Sequence, residues 1–129
     1  IMLGNGIRGF TTAQVQLDVD FRGSLAIDRA ALNGGDAEAA LRAADFEGLV
    51  RQSAIAQYGE DGPRLFSGAA RLWLRDMVRD DPRILDGRST VWLPASSALD
   101  QAAKGNGDPA AEALYERLAG ADRISTGIN

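Results

Sequence analysis

Acidic and arginine side chains carry most of the ionic chemistry open to this 129-residue chain, which has no histidine and no cysteine. Those two absences remove disulfides, zinc fingers, iron–sulfur ligation, cysteine nucleophiles and Ser-His-Asp triads. Two acid pairs remain to be weighed. Asp18 and Asp20 stand two residues apart, and Asp80 and Asp81 are adjacent. Paired acids can share a proton or hold a magnesium ion, and a glycosidase needs two of them facing a sugar. A plainer account fits both pairs better. Asp18 and Asp20 fall on the polar face of an alternating segment, and Asp80-Asp81 precede Pro82 in a turn, where Asp bonds its own backbone. The sequence therefore assigns no catalytic residue, no metal ligand and no cofactor.

Gly4-Asn5-Gly6-Ile7-Arg8-Gly9 matches G-x-G-x-x-G. In a dinucleotide-binding fold that motif opens a helix whose N-terminus meets a pyrophosphate. Here the next segment alternates apolar and polar residues and reads as a strand, so the glycines are expected to form an opening loop with no nucleotide.

Arg64, Arg71, Arg75 and Arg79 form the most organised charged feature, on the side of a predicted helix roughly opposite its apolar residues. Guanidinium groups so arrayed can receive carboxylates or phosphates bidentately. Segment 64–88 has six basic and four acidic residues, net +2; segment 36–61 has two basic and six acidic, net −4. Three readings of the stripe follow: a solvated face, an ionic seam within or between copies of the chain, or an external phosphate ligand. Trp73, with Phe66, falls on the apolar side of the same helix. Trp92 alternates against Val91 and Leu93, which sets a large apolar group on the far side of a small sheet and calls for a helix or a neighbouring subunit as cover.

The overall charge of −4 argues against nucleic acid and against direct binding to an anionic membrane. No apolar run approaches the roughly 18 residues of a membrane span. The chain opens Ile1-Met2, so membrane contact is expected only through sequence upstream of Ile1 or through a partner. The compartment stays open.

The elements that must position these residues follow from periodicity. Residues 1–10 are glycine-rich. Val15, Leu17, Val19 and Phe21 alternate with Gln14, Gln16, Asp18 and Asp20, the signature of a half-buried strand. Arg22-Gly23 turns the chain, with Leu25 and Ile27 as a short returning strand. Asp36 is placed to cap a helical stretch over 37–57, read as one helix or, with Asp45 and Gly48 interrupting, as two. Pro63 starts a helix to Arg79 with Leu65, Phe66, Ala69, Leu72, Trp73 and Met77 on one side; Asp81-Pro82 stops it. Ser89–Leu93 reads as a strand closed by Pro94. Ser97-Ala98-Leu99-Asp100 has capping-box spacing for a short helix, and Asp108-Pro109 opens the last one, to about Ala119. The result is a single α+β domain over 11–120, a small two- to three-stranded sheet packed by three to five helices, with residues 121–129 as a frayed tail.

Ala56-Gln57-Tyr58-Gly59-Glu60-Asp61-Gly62-Pro63, Arg71-Leu72-Trp73-Leu74-Arg75 and Ser89-Thr90-Val91-Trp92-Leu93-Pro94 together resemble the C-terminal part of stomatin/prohibitin-type (SPFH, band 7) proteins. The resemblance covers residues 56–99. It implies a membrane-associated, ring-forming scaffold without catalytic residues. The residues alone lead to a related expectation: a non-enzymatic module that associates with itself or with another protein. Its contacts are expected from Arg64, Arg71, Arg75, Arg79, Trp73 and Trp92. Two alternatives stand beside it, a small carboxylate- and arginine-dependent enzyme or sugar-binding domain, and an adaptor for an acidic peptide.

Overall fold

Val15, Leu17 and Val19 are fully buried while Gln14, Gln16, Asp18 and Asp20 point away from the core, as their alternation demands. They belong to β1 (Gln14–Asp20), the central strand of a three-stranded antiparallel sheet in a computed structural model that describes residues 12–126. On one side β1 pairs along its whole length with β2 (Arg88–Pro94), in a register that sets Leu17 opposite Val91 and Gln16 opposite Trp92. On the other side it meets β3 (Ile124–Ser125), through Val15 and Gln14. Six α-helices occur among the described residues: α1 (Arg29–Leu32), α2 (Ala37–Ala43), α3 (Phe46–Tyr58), α4 (Ala70–Asp80), α5 (Ser97–Ala103) and α6 (Pro109–Gly120). The protein is a small α+β fold, with one helix more than the upper expectation because α1 adds a single turn.

One core joins the sheet to the helices. Val15, Leu17, Val19, Phe21, Val91 and Leu93 from the sheet meet Leu49, Val50 and Ala54 of α3, Leu74 and Val78 of α4, and Leu99 of α5. No charged or polar residue is buried with them among the described residues. The broken reading of 37–57 is the correct one. Asp45 leaves the helical region and its carboxylate accepts from the Gly48 N–H at 2.8 Å, starting α3 afresh. Asp36 stands at the head of α2 without capping it.

Four expectations are corrected. Leu25 and Ile27 form no returning strand; Asp28 caps α1 there instead, accepting from the N–H groups of Ala30 and Ala31. The segment 63–79 is not one helix. Gly62–Leu65 is a 3₁₀ turn, Phe66 is extended, and α4 begins only at Ala70. The cause is the sheet: Phe66 bridges Ala95, and the Ser67 N–H donates to the Pro94 carbonyl at 2.9 Å, so these groups are unavailable to a helix. The capping box is displaced by one residue. Ser96 accepts from the Leu99 N–H, while Asp100 reaches the Ala13 N–H at 2.7 Å and ties α5 to the start of β1. Finally, the stretch from 121 does not fray where it is described. The Arg123 carbonyl accepts from the Gln16 N–H at 2.8 Å and Ile124-Ser125 add a strand, because β1 offers them free backbone groups. Residues 1–11, which include the G-x-G-x-x-G match and the glycine-rich opening, and residues 127–129 lie outside the described residues.

Candidate functional site

The two flanks of the sheet are finished differently. Even-numbered residues of β1 turn their backbone groups towards β3, and beyond that short strand side chains take over. Tyr58 donates its hydroxyl to the Gln16 carbonyl, Gln57 Oε1 accepts from the Asp18 N–H at 2.7 Å, and Ser24 donates to the Asp20 carbonyl. The end of α3 thus does the work of a strand. Burial pushes the Tyr58 phenol above its ordinary pKa, and the neighbouring Arg123 opposes that rise.

Among the described residues the outer flank of β2 is finished only at Pro94, whose carbonyl accepts from the Ser67 N–H. The Phe21 N–H donates to the Gly87 carbonyl at 3.0 Å and the Ala95 N–H to the Ala13 carbonyl at 2.8 Å. Odd-numbered residues of β2 therefore bond to β1, and Arg88, Thr90 and Trp92 direct their N–H and C=O groups outwards. Among the described residues those groups have no hydrogen-bond partner. The side chains of the same three residues share the face turned from the core: Arg88 and Thr90 exposed, Trp92 half-buried. Along this face Thr90 donates to Asp18 at 2.8 Å and Arg88 lies 3.5 Å from Asp20.

The four arginines do not stay together. Arg64 sits on the 3₁₀ turn, 3.9 Å from Asp61 and largely exposed, apart from the other three. Arg71, Arg75 and Arg79 share one side of α4 at helical spacing. Arg75 and Arg79 both reach Asp76, at 3.1 and 3.0 Å, and Arg71 has no ion pair among the described residues. Among the described residues none of these three pairs with the acidic segment 36–61, which leaves the solvated-face reading and a seam between copies. The side of α4 that enters the core is Ala70, Leu74 and Val78. Trp73 and Met77 flank it and pack partly against the core, whereas Leu72, half-buried, lies on the side of α4 away from Leu74, beside Arg75. Leu72, Trp73, Met77 and Arg75 line an open cavity of about 560 Å³ on this outer side.

The acid pairs show how their carboxylates are used. Asp20 accepts two hydrogen bonds from the Arg22 guanidinium at 2.9 Å and one from its backbone N–H, which hold the carboxyl well below the usual range. Asp81 accepts from the side chain and the N–H of Arg83, and its pKa is likewise lowered. Both shifts come from the neighbouring arginines, Arg22 and Arg83, and not from the second acid of either pair. No group of three or more acidic residues is arranged to hold a metal ion among the described residues.

Of the residues the sequence singles out, Trp92 lies on β2 and Arg71, Arg75 and Arg79 on α4; Arg88 and Thr90 are not among them. Their shared face with Trp92 is legible in the alternation. Which flank of the strand stays open depends on the strand order β2-β1-β3, and that carries no local signal.

No curated protein and no solved structure matches the chain. The family described as "Domain of unknown function (DUF3333)" matches residues 1–113, and the chain belongs to it.

Proposed function

We propose that this domain is a non-enzymatic module that associates with itself or with a partner protein within a larger assembly. The observation that carries the reading is the open flank of β2, where Arg88, Thr90 and Trp92 present backbone groups unpartnered among the described residues, beside a half-buried indole. Such an edge is a template for another strand, and proteins that do not use it usually shield it. The half-buried Leu72 on α4 adds apolar surface at a second place. A ring-forming scaffold at a membrane, as the likeness of residues 56–99 to stomatin/prohibitin-type proteins implies, is one form this assembly would take. No helix among the described residues is long and apolar enough to cross a membrane, so membrane contact would come through a partner or through other parts of the protein. Light scattering across a concentration series tests self-association. A mass that rises with concentration supports it, and a strict monomer argues against it.

A second reading rests on Arg71, which is exposed, without an ion pair among the described residues, and next to Leu72. An adaptor for an acidic peptide would use Arg71 and Arg75 with Leu72 between them. Its binding would weaken with salt and in the Arg71→Gln/Arg75→Gln variant. The enzyme alternative would require that Asp18→Asn, Asp20→Asn, Asp80→Asn or Asp81→Asn abolish a detected turnover.

A further inference from the structure

We infer that the occupant of the open flank is a second copy of this chain, whose β2 pairs antiparallel with this β2 across a two-fold axis at Thr90. The inference rests on the self-association reading and names its partner and register. The free edge has definite ends. Pro94 has no N–H and its carbonyl already accepts from Ser67 at 2.9 Å, while residues 82–86, ahead of Gly87, form a 3₁₀ turn. Only Arg88, Thr90 and Trp92 remain to be paired.

With the axis at Thr90, Arg88 of each copy lies opposite Trp92 of the other, and the two Thr90 residues face each other. Every free N–H and C=O on both strands then gains a partner. Moving the axis to Ser89 sets Trp92 against Asp86, which lies in the 3₁₀ turn; moving it to Val91 sets Arg88 against Pro94, which has no amide to give. The side chains agree with the same register. Residues directly opposite share a face, so the Arg88 guanidinium meets the Trp92 indole twice by symmetry, a cation–π contact that covers the half-buried ring. Asp18 and Asp20 stay one strand inward, Asp18 hydrogen-bonded to Thr90 and Asp20 ion-paired with Arg88 of their own chain. A foreign strand would have to bring both an aromatic ring and a cation at matching positions; β2 supplies both itself, and a two-fold pairing is self-complementary. The product is a continuous sheet in the order β3-β1-β2-β2-β1-β3.

Light scattering and sedimentation on the full chain and four variants test the inference. Thr90→Pro removes a central amide at an edge position where proline is tolerated by the monomer, and it is expected to be monomeric at concentrations where the parent chain is dimeric. Arg88→Trp and Trp92→Arg each destroy the opposed pair and should weaken the dimer about tenfold. The double variant restores the pair in mirror order and should recover most of the loss, which keeps the test decisive where Thr90→Pro fails to fold. A dimer that survives Thr90→Pro unchanged, or no recovery in the double variant, overturns the inference and leaves self-association through another surface standing. A parent chain that is monomeric throughout overturns both. A monomer whose Thr90 amide is nonetheless protected from exchange assigns the edge to another part of the chain and also overturns the inference.

Discussion

The Tyr58 hydroxyl and the Gln57 side chain stand where the backbone of a neighbouring strand would otherwise be, and they hold the middle of β1 closed. Removing that hydroxyl leaves a backbone acceptor without its donor, which costs more than the net worth of one hydrogen bond. Tyr58→Phe is expected to lose about 1–2 kcal/mol in urea unfolding, with faster amide exchange in β1 as the local sign. A second prediction at this scale concerns acid. Asp20 has a folded pKa below its ordinary value of 3.8, because Arg22 bonds its charged form. A carboxyl shifted in this direction stabilises the fold above its unfolded pKa and loses that contribution as pH falls below it. The melting temperature of the parent should therefore decline as pH drops from about 5 to 2. Asp20→Asn should flatten part of that decline and be nearly neutral to salt at low pH. A parallel decline in parent and variant would show that Asp20 takes no part.

At the scale of elements, α4 is the clearest case of what its amino acids reveal and what they conceal. Apolar residues over 63–79 fit a helical period, yet the chain spends Phe66 and Ser67 on the edge of the sheet and starts its helix at Ala70. Periodicity sees side chains; it does not see backbone groups drawn to a strand far away in sequence. The phase of α4 differs from the periodicity for the same reason. Leu74 and Val78 face the core, and Leu72 lies on the side away from Leu74. Leu74→Ala is thus expected to cost about 2–5 kcal/mol and the half-buried Leu72→Ala about 1, although both replace a leucine in one helix. Equal losses in denaturant titrations would contradict this orientation. The turn before α4 is fixed by close approach: a Cβ on Gly62 would fall 2.2 Å from the Ala54 carbonyl oxygen of α3. Gly62→Ala should destabilise by about 1–3 kcal/mol, read as a lower midpoint in the same titration. By contrast β1, the break at Asp45 and the start of α6 at Asp108-Pro109 were legible, because each rests on neighbouring residues alone.

At the scale of the whole molecule, β3, Tyr58 and Gln57 close one side of the sheet, and among the described residues the stretch 88–92 on the other side is open. β3 escaped the sequence because two residues carry no period, and its place is set by acceptors and donors on β1. The charge polarity that the composition shows does not become an internal seam on α4; Arg75 and Arg79 pair within their own helix. The surface proposed for assembly is the edge of β2, defined by strand order and register. Hydrogen exchange at the Arg88, Thr90 and Trp92 amides, followed residue by residue at low and high protein concentration, tests that claim most directly. The account predicts exchange that slows at these three positions as concentration rises and the dimer forms, while β1 amides stay protected throughout. Exchange at Arg88, Thr90 and Trp92 that is unchanged between dilute monomer and concentrated protein would contradict it.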